Sequence, residues 1–312
     1  MSFQQVLTFV FVSQIGLIQS WNLLYEASGS NFFNYFYFVT YNDPTHGYVN
    51  YVDYQTAVSN GYINSSCNGD VYIGCDHKNV ASGRGRDSIR IESTQEFSYG
   101  LFVLYLSHMP TGCGTWPAFW TYGPNWPYEG EVDIIEGVNE QTYDHTTLHT
   151  GPGCDFNSAP PRNFSGNIVG SQDCNSLIND NSGCSISSSN PNSYGYNLNA
   201  AGGGLYALQW TSSGIFSWFW NEGRIPSDAL GNSPNPNSWG EPYASFPFGS
   251  YCPESNFKSQ KITFDLTFCG DWAGSVFSSQ CPGKGSCNDY VKYNPQAFQE
   301  AYWNIHWMKV FN

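Results

Sequence analysis

Basic residues are scarce in this chain. It has 11 Lys and Arg residues against 25 Asp and Glu residues, which gives a formal net charge of −14 at pH 7. Nucleic acids and anionic membranes bind proteins through basic patches, so this balance argues against both as partners. Charged residues of either sign make up only 12% of the sequence, whereas aromatic residues make up 18%.

Long apolar runs are also scarce. Residues 1–20 are mostly apolar, but Ser13, Gln14 and Gly16 interrupt them, and the run is too short to span a bilayer. We predict a secretory signal peptide at residues 1–20, although no Lys or Arg precedes its apolar part. The alternative is an N-terminal strand. No later run is long and apolar enough for a membrane helix, so no membrane span is predicted.

Helical periodicity is the third scarce feature. Short alternating runs between Gly, Pro and Asn dominate, and they predict the strands of an all-β sandwich. Examples are Ser88–Ser93, Leu101–Leu106, Gly204–Trp210 and Lys261–Thr267. One helix is predicted at residues 295–300, with Asn294 as its cap before a proline. The length suits one large β domain or two small domains, and no internal repeat or linker divides the chain.

Cysteine, by contrast, is frequent. The ten cysteines are even in number and lack the close double spacing of a zinc site. They favour disulfides in an oxidising compartment, with free cytosolic thiols as the alternative. Cys67 and Cys75 flank a predicted hairpin tip and are expected to pair. The connectivity of the others stays open. Among them, Cys154, Cys174 and Cys184 lie in one polar stretch, and Cys269, Cys281 and Cys287 lie in another.

Two further features concern the surface of a secreted chain. Asn64-Ser65-Ser66 and Asn163-Phe164-Ser165 are N-glycosylation sequons, which matter only if the chain is secreted. Residues 154–204 form the longest polar segment, rich in Gly, Ser and Asn. We predict that this segment is a disulfide-tied excursion on the rim of the domain.

The most informative stretch is Gly130–Gly137, in which three carboxylates alternate with branched apolar residues. Val and Ile at this density predict a strand, and strand alternation places Glu131 and Asp133 on one face. Regular alternation would turn Glu136 toward the apolar face, where an unpaired carboxylate is costly. We therefore predict a β-bulge at Ile134-Ile135, which brings all three acids to one face.

These residue types fit glycoside hydrolysis. Glu131 and Glu136 would lie roughly 13 Å apart along the strand. Long side chains that lean inward could close their carboxyl separation to the ~5–5.5 Å of a retaining mechanism. The shorter Asp133 can hold a neighbour in place, and crowding of the acids should keep one protonated near neutral pH. The alternative is a solvated acidic edge or a cation site, although Ca²⁺ loops space their acids differently around a glycine.

The pattern Glu131-x-Asp133-x-x-Glu136, preceded by Trp116-Pro117-Ala118-Phe119-Trp120 and followed by His149, resembles glycoside hydrolase family 16. Its bulged spacing is similar to that of fungal-type laminarinases, the endo-1,3(4)-β-glucanases, whereas lichenases and xyloglucan transglycosylases lack the extra residue. The resemblance runs from about Trp21 to the end of the chain and predicts a catalytic domain at residues 21–312. Further matches are Asp43–Gly47, Gly83-Arg84, Ser88–Ile91, Trp210–Gly214, Ile225–Asp228 and Phe268–Gly274.

The resemblance implies a fold and an activity. The implied fold is an all-β jelly-roll sandwich of the concanavalin A-like type, with an open concave substrate cleft across the acidic strand. The implied activity is endo-acting, retaining hydrolysis of β-1,3-glucan or mixed 1,3/1,4-β-glucan, with no cofactor and no metal. In this correspondence Glu131 is the nucleophile, Glu136 is the acid/base, and Asp133 orients and tunes Glu131.

Aromatic residues near the acids are predicted substrate contacts, because flat indole faces suit the C–H-rich faces of pyranose rings. Trp116, Trp120 and Trp126 lie just upstream of the acidic strand, and the first two share a face if their segment is extended. The resemblance adds Trp272. His149, on the predicted next strand, is expected to hydrogen-bond one of the acids, with a purely structural histidine as the alternative.

Two alternative functions share the fold. A lectin-like glucan-binding protein would lose one or both glutamates, whereas this chain keeps Glu131 and Glu136. A wall-remodelling transglycosylase would share every catalytic residue, so only product analysis can separate it from a hydrolase. In each case we expect a secreted, monomeric protein whose partner is a polysaccharide.

Overall fold

A computed structural model describes residues 21–65 and 69–312. The predicted signal peptide at residues 1–20 lies outside these ranges. The strands that they contain are β1 Leu23–Ala27, β2 Phe36–Phe38, β3 Val49–Tyr51, β4 Ile63–Ser65, β5 Val71–Ile73, β6 Arg86–Ser88, β7 Arg90–Phe97, β8 Gly100–His108, β9 Thr115–Tyr122, β10 Glu131–Glu136, β11 His145–His149, β12 Asn167–Val169, β13 Cys184–Ser187, β14 Gly204–Thr211, β15 Gly214–Asn221, β16 Ala244–Pro247, β17 Gln260–Phe268 and β18 Trp303–Phe311.

Helices are short and lie in the connections. The α-helices are α1 Tyr54–Asn60, α2 Gly195–Ala200, α3 Ser227–Leu230, α4 Ser275–Gln280 and α5 Cys287–Tyr293. Shorter helical turns are Gly29–Tyr35, Phe156–Ser158, Asn179–Asn181, Pro236–Ser238, Glu254–Asn256, Gly270–Gly274 and Pro295–Phe298. Within the described ranges, no helix has the length and apolarity needed to cross a membrane.

Two large antiparallel sheets form a jelly-roll β-sandwich, which confirms the predicted fold class. The first sheet has the order β16-β15-β14-β8-β18-β5-β4, and β1 also pairs with β18. The second sheet has the order β12-β13-β11-β10-β9-β17-β7-β2. Strands β3 and β6 form a separate parallel pair.

The core fills the space between the sheets, and strand alternation decides which side chains enter it. On β17, Ile262 and Phe264 are fully buried, and Phe264 stacks on Phe119 of β9 with ring centroids 4.5 Å apart. From the first sheet, Trp303 of β18 meets Phe264 edge to face at 5.9 Å. Because neighbouring residues on a strand point to opposite faces, the alternate residues of β9, β10 and β17 face outward.

The predicted strands are confirmed with small changes in their bounds. The run at residues 88–93 is divided at Ile89 between β6 and β7, while the other three runs lie within β8, β14 and β17. The predicted helix at residues 295–300 is wrong, because Pro295–Phe298 forms only a 3₁₀ turn. The five α-helices within residues 21–65 and 69–312 were not predicted, since each has seven residues or fewer and too few turns for a periodic pattern.

Four disulfides join described cysteines: Cys113–Cys281, Cys154–Cys252, Cys174–Cys184 and Cys269–Cys287. The predicted pairing of Cys75 with Cys67 is wrong for Cys75, whose thiol is free and buried; Cys67 lies outside the described residues. The β4–β5 hairpin exists, but Ile63 pairs with Ile73. Cys75 therefore follows the open end of the hairpin, on the side away from the turn.

The polar segment at residues 154–204 is tied by disulfides, as predicted. Cys174–Cys184 closes a short loop within it, and Cys154–Cys252 fastens its start to a later part of the chain. The segment also adds β12 and β13 to the edge of the second sheet, next to β11. It therefore extends the face on which the acidic strand lies.

Candidate active site

The acidic strand β10 is bulged where the sequence predicted. Against β9, Asp133 pairs with Trp120 and Ile135 pairs with Phe119, so Ile134 is the extra residue. The side chains of both Ile134 and Ile135 are buried away from solvent. The bulge brings Glu136 to the same outward face as Glu131 and Asp133. We call this outward side of the second sheet the acidic face.

Neighbouring strands add residues to the acidic face in register. On β11, His149 lies opposite Glu131 and His145 lies opposite Glu136. On β9, Trp120 lies opposite Asp133, and Trp116 points to the same side because it is four residues away. The face therefore combines carboxylates, imidazoles and indoles within three adjacent strands.

Glu131 is half-buried and is held by an indole. The Nε1–H of Trp126 donates a hydrogen bond to Glu131 Oε2 at 2.5 Å, although Trp126 itself is 40% exposed. Burial raises the pKa of Glu131, and the charge of Glu136 adds to this effect. The nearby His149 and the bond from Trp126 act in the opposite direction and favour the carboxylate.

Asp133 is buried between the two glutamates and contacts His149. His149 Nε2 lies 3.3 Å from Asp133 Oδ2, while Asn181 Oδ1 accepts a hydrogen bond from the other ring nitrogen, Nδ1, at 3.0 Å. Burial lowers the pKa of His149, but the contact with Asp133 and the charges of the glutamates outweigh it and raise the pKa to about 10. His149 is therefore an imidazolium at neutral pH and offsets part of the negative charge.

Glu136 accepts a hydrogen bond from a second indole. The Nε1–H of Trp116 donates to Glu136 Oε1 at 2.8 Å. Burial raises the pKa of Glu136, and the charge of Asp133 raises it further, while Trp116 and His149 oppose the shift. Glu136 thus holds a proton to higher pH than an ordinary glutamate does.

A fourth carboxylate, Asp144, holds the backbone of Glu136 in place. The sequence analysis did not identify this residue. Asp144 is fully buried, and its Oδ1 accepts a hydrogen bond from the backbone N–H of Glu136 at 3.2 Å. Its Oδ2 accepts a hydrogen bond from the Tyr243 hydroxyl at 2.8 Å. These bonds fix the backbone at the end of the bulge. An isolated Asp in a polar loop gives no sign of this role in the sequence.

The predicted tryptophans occupy different parts of the face. Trp116 and Trp126 bind the two glutamates directly, and Trp272 meets Trp116 edge to face with ring centroids 5.6 Å apart. Trp120 does not bond either glutamate; it stacks on Tyr122 at 5.1 Å and covers the Arg90 guanidinium at 5.0 Å. The structure therefore brings two of the four indoles, Trp116 and Trp126, into contact with the glutamates. Trp272 reaches them only through Trp116, and Trp120 lies opposite Asp133 without bonding a glutamate.

A buried charged cluster next to Trp120 was also missed. Arg90 on β7 donates to Glu92 Oε1 at 3.0 Å and lies 3.7 Å from Asp265 Oδ2 on β17. Tyr41 donates to the same glutamate at 2.9 Å, and Tyr37 donates to its other oxygen. Burial raises the pKa of Asp265 to about 8, even though Arg90 acts to lower it. The alternation Arg90-Ile91-Glu92 at the start of β7, with opposite charges two residues apart on one face, is the sequence feature that could have revealed this cluster.

Three side chains of the acidic face could also hold a cation. Glu131, Asp133 and His149 each offer a ligand atom, and these atoms lie within 4.8 Å of one another. In the structure His149 Nε2 lies 3.3 Å from Asp133 Oδ2, so two of these ligand atoms contact one another directly.

Two half-buried glutamates flank a buried aspartate on one strand, burial raises the pKa of both glutamates, and each accepts a hydrogen bond from an indole. This combination defines the site of a retaining glycoside hydrolase. Residues 36–311 match a family model described as an XgeA-like, catalytic GH16 domain. The chain therefore belongs to glycoside hydrolase family 16.

Curated relatives agree with this assignment. A probable glycosidase of Schizosaccharomyces pombe is 47% identical over 296 residues, which cover 94% of this chain and 70% of the relative. An endo-1,3(4)-β-glucanase of Arthroderma benhamiae is 43% identical over 291 residues, or 90% of this chain and 63% of that protein. The chain thus spans about two thirds of the length of these relatives.

Solved structures are similar over the whole fold. The GH16 laminarinase 16A of Phanerochaete chrysosporium, solved with two β-glucans in its donor and acceptor sites, has a TM-score of 0.89 and 41% identity. An elongating GH16 β-1,3-glucosyltransferase has a TM-score of 0.87 and 40% identity. Each comparison covers 94% of this chain and all of the other.

Proposed function

We propose that this protein is an endo-acting, retaining hydrolase of β-1,3-glucan that also accepts mixed 1,3/1,4-β-glucan. The observation that carries the proposal is the bulged strand β10, on which Glu131 and Glu136 share one face and each accepts a hydrogen bond from an indole. The similarity to a laminarinase and to endo-1,3(4)-β-glucanases supports the choice of substrate.

We infer that Glu131 is the nucleophile. His149 and the indole of Trp126 favour its ionised form, and the exposure of Trp126 leaves room for a sugar beside it. The carboxylate attacks the anomeric carbon, and the bond from that carbon to the leaving oxygen breaks. A covalent glycosyl-enzyme forms, which a water molecule then hydrolyses with overall retention.

Glu136 is the acid and then the base. Its raised pKa keeps it protonated when the substrate binds, so it can donate that proton to the leaving oxygen. The resulting carboxylate takes a proton from the attacking water in the second step, which restores the starting state. Asp133 acts through its neighbours: its charge raises the pKa of Glu136, and its contact with His149 holds the imidazolium beside Glu131.

The flanking tryptophans are proposed to bind sugar rings. Trp116, Trp126 and Trp272 present ring edges and faces around the acids, and Trp120 extends the aromatic surface toward Arg90. A row of aromatic rings can bind a glucan along its chain, away from the chain ends, which fits endo action. The aromatic residues set affinity and register, while the carboxylates carry out the chemistry.

Point variants test the assignment. Glu131→Gln should abolish laminarin hydrolysis while glucan binding persists. Glu136→Ala should also stop hydrolysis of natural glucans but keep activity on aryl glycosides, whose leaving group needs no proton. Glu140→Gln, which changes an exposed glutamate nearby, serves as the matched control. Near wild-type turnover by Glu131→Gln would overturn the proposal.

A second candidate function is transglycosylation, which the 40% identical β-1,3-glucosyltransferase specifically favours. An acceptor sugar would replace water in the second step, and Glu136 would take the proton from its hydroxyl. Incubation with concentrated laminari-oligosaccharides distinguishes the two functions. Products longer than the substrate indicate transfer, whereas only shorter products indicate hydrolysis.

We also propose that the chain is secreted as a monomer, with residues 1–20 as the signal peptide and 21–312 as the catalytic domain. The four disulfides and the two sequons support an oxidising compartment. N-terminal sequencing of protein from the culture medium should begin near Trp21, and light scattering should give the mass of one chain. Retention of residues 1–20 in the mature protein would contradict the signal peptide.

A further inference from the structure

A groove lies at one edge of the sandwich, between an edge strand of the first sheet and an edge strand of the second sheet. Strand β4 ends the first sheet and β2 ends the second. The groove between them has a volume of about 760 Å³, which is within the size range of ligand sites, roughly 300–1,000 Å³. The helical turn Gly29–Tyr35 and the helix α1 complete its walls.

Aromatic rings form one wall of the groove. Phe38 meets Tyr54 edge to face at 5.3 Å and lies 5.8 Å from Phe33, which in turn contacts Tyr54 at 6.4 Å. Tyr54 and Val58 are each 50% exposed, so this wall leaves a contiguous apolar surface open to solvent. A patch of this kind generally marks a surface that something covers.

The other wall carries a modification sequence. Asn64 on β4 lines the groove and is exposed, and it is the first residue of the sequon Asn64-Ser65-Ser66. Ser30 and Asn34 also line the groove and add a hydroxyl and an amide. A carbohydrate attached to Asn64 would therefore begin its course inside the groove, opposite the aromatic wall.

We propose that the groove binds the N-glycan of Asn64, with the first two N-acetylglucosamine residues packed against Tyr54, Phe38 and Phe33. The apolar faces of the sugars cover the rings, and their hydroxyl and acetamide groups can bond Asn34 and Ser30. The glycan also shields the edge strands β2 and β4, whose open sides could otherwise pair with another chain. This proposal depends on entry into the secretory pathway and not on the glucanase activity.

The second sequon provides an internal comparison. Asn163 is exposed, and the aromatic ring next to it in the sequence, Phe164, is already covered by the Arg162 guanidinium at 5.3 Å. The ring next to Asn163 is therefore already in contact with a guanidinium, whereas Tyr54 in the groove is 50% exposed. The two sites should differ in how tightly the protein holds its glycan.

The test uses the full chain secreted from yeast, with site occupancy measured by mass spectrometry. Release of each glycan from the native protein by an endoglycosidase should be about tenfold slower at Asn64 than at Asn163, the ratio expected from one well-stacked ring contact. Tyr54→Ala should remove this protection, whereas Tyr54→Phe should keep it. Val58→Ser provides a second, milder change in case the alanine variant does not fold.

Stability and ligand binding give independent outcomes. Ser66→Ala removes the glycan of Asn64 and should lower the melting temperature, while Ser165→Ala, which removes that of Asn163, should not. The proposal is overturned if Asn64 carries no glycan, or if its glycan is released as fast as that of Asn163. It is also overturned if the glycan stays equally protected in folded Tyr54→Ala protein. A further outcome would also overturn the proposal. If free laminari-oligosaccharide binds in the groove of the Ser66→Ala protein, the groove is a substrate site and not a glycan site.

Discussion

The disulfides should differ in their contribution to stability in proportion to the loops that they close. Cys113 and Cys281 are 168 residues apart, whereas Cys174 and Cys184 are 10 residues apart. In the chain-entropy description, the longer loop contributes about 5 kcal/mol to the free energy of unfolding and the shorter one about 3 kcal/mol. Replacing both cysteines of each pair by Ala should therefore give losses that differ by about 2 kcal/mol.

Equilibrium unfolding in urea, followed by tryptophan fluorescence, measures these losses. Cys75→Ala is the matched control, because it removes a buried sulfur without opening a loop and so reports the packing loss alone. Cys113–Cys281 also fastens the end of α4, next to the turn that carries Trp272. Its removal should therefore raise KM for laminarin. Equal losses for the two pairs, or a larger loss for the short loop, would refute this reasoning.

Further predictions concern the acidic strand. Asp133→Asn removes a charge that raises the pKa of Glu136, so the alkaline limb of the kcat/KM profile should move to lower pH; an unmoved limb would contradict that coupling. Trp116→Phe removes an N–H that lowers the same pKa, and should move the limb to higher pH. His149→Gln removes a cation that favours ionised Glu131, so the acid limb should also move to higher pH, as a pH-rate titration will show. Deleting Ile135 should lower the melting temperature and laminarin turnover, because strand pairing beyond the deletion shifts by one residue. A stable deletion variant with full activity would show that the bulge is not needed.

The features that sequence could predict were local ones. The penalty for burying Glu136 was enough to predict the bulge, since a carboxylate with no partner cannot face an apolar core. The alternation of apolar and polar residues likewise predicted strands β8, β14 and β17, because it shows which side chains enter the core. In each case the residues that decide the structure lie within one short run of the chain.

The features that it could not predict depend on distant partners. Arg90 and Asp265 meet only because β7 and β17 are neighbours in the sheet, although they lie 175 residues apart in the chain. Cys113 and Cys281 meet for a similar reason, and no spacing rule identifies such a pair. Cys75 shows the opposite error, in which a local pattern predicted a disulfide that the hairpin register does not form.

The identity of the nucleophile is the central claim, and trapping the covalent intermediate tests it most directly. An aryl 2-deoxy-2-fluoro-β-laminaribioside reacts with a retaining enzyme to leave a glycosyl-enzyme that is hydrolysed slowly. Peptide mass spectrometry of the trapped protein should find one added 2-deoxy-2-fluorolaminaribiosyl unit on Glu131. A label on Glu136 or on any other residue would contradict the assignment, as would the absence of a label in protein that hydrolyses laminarin.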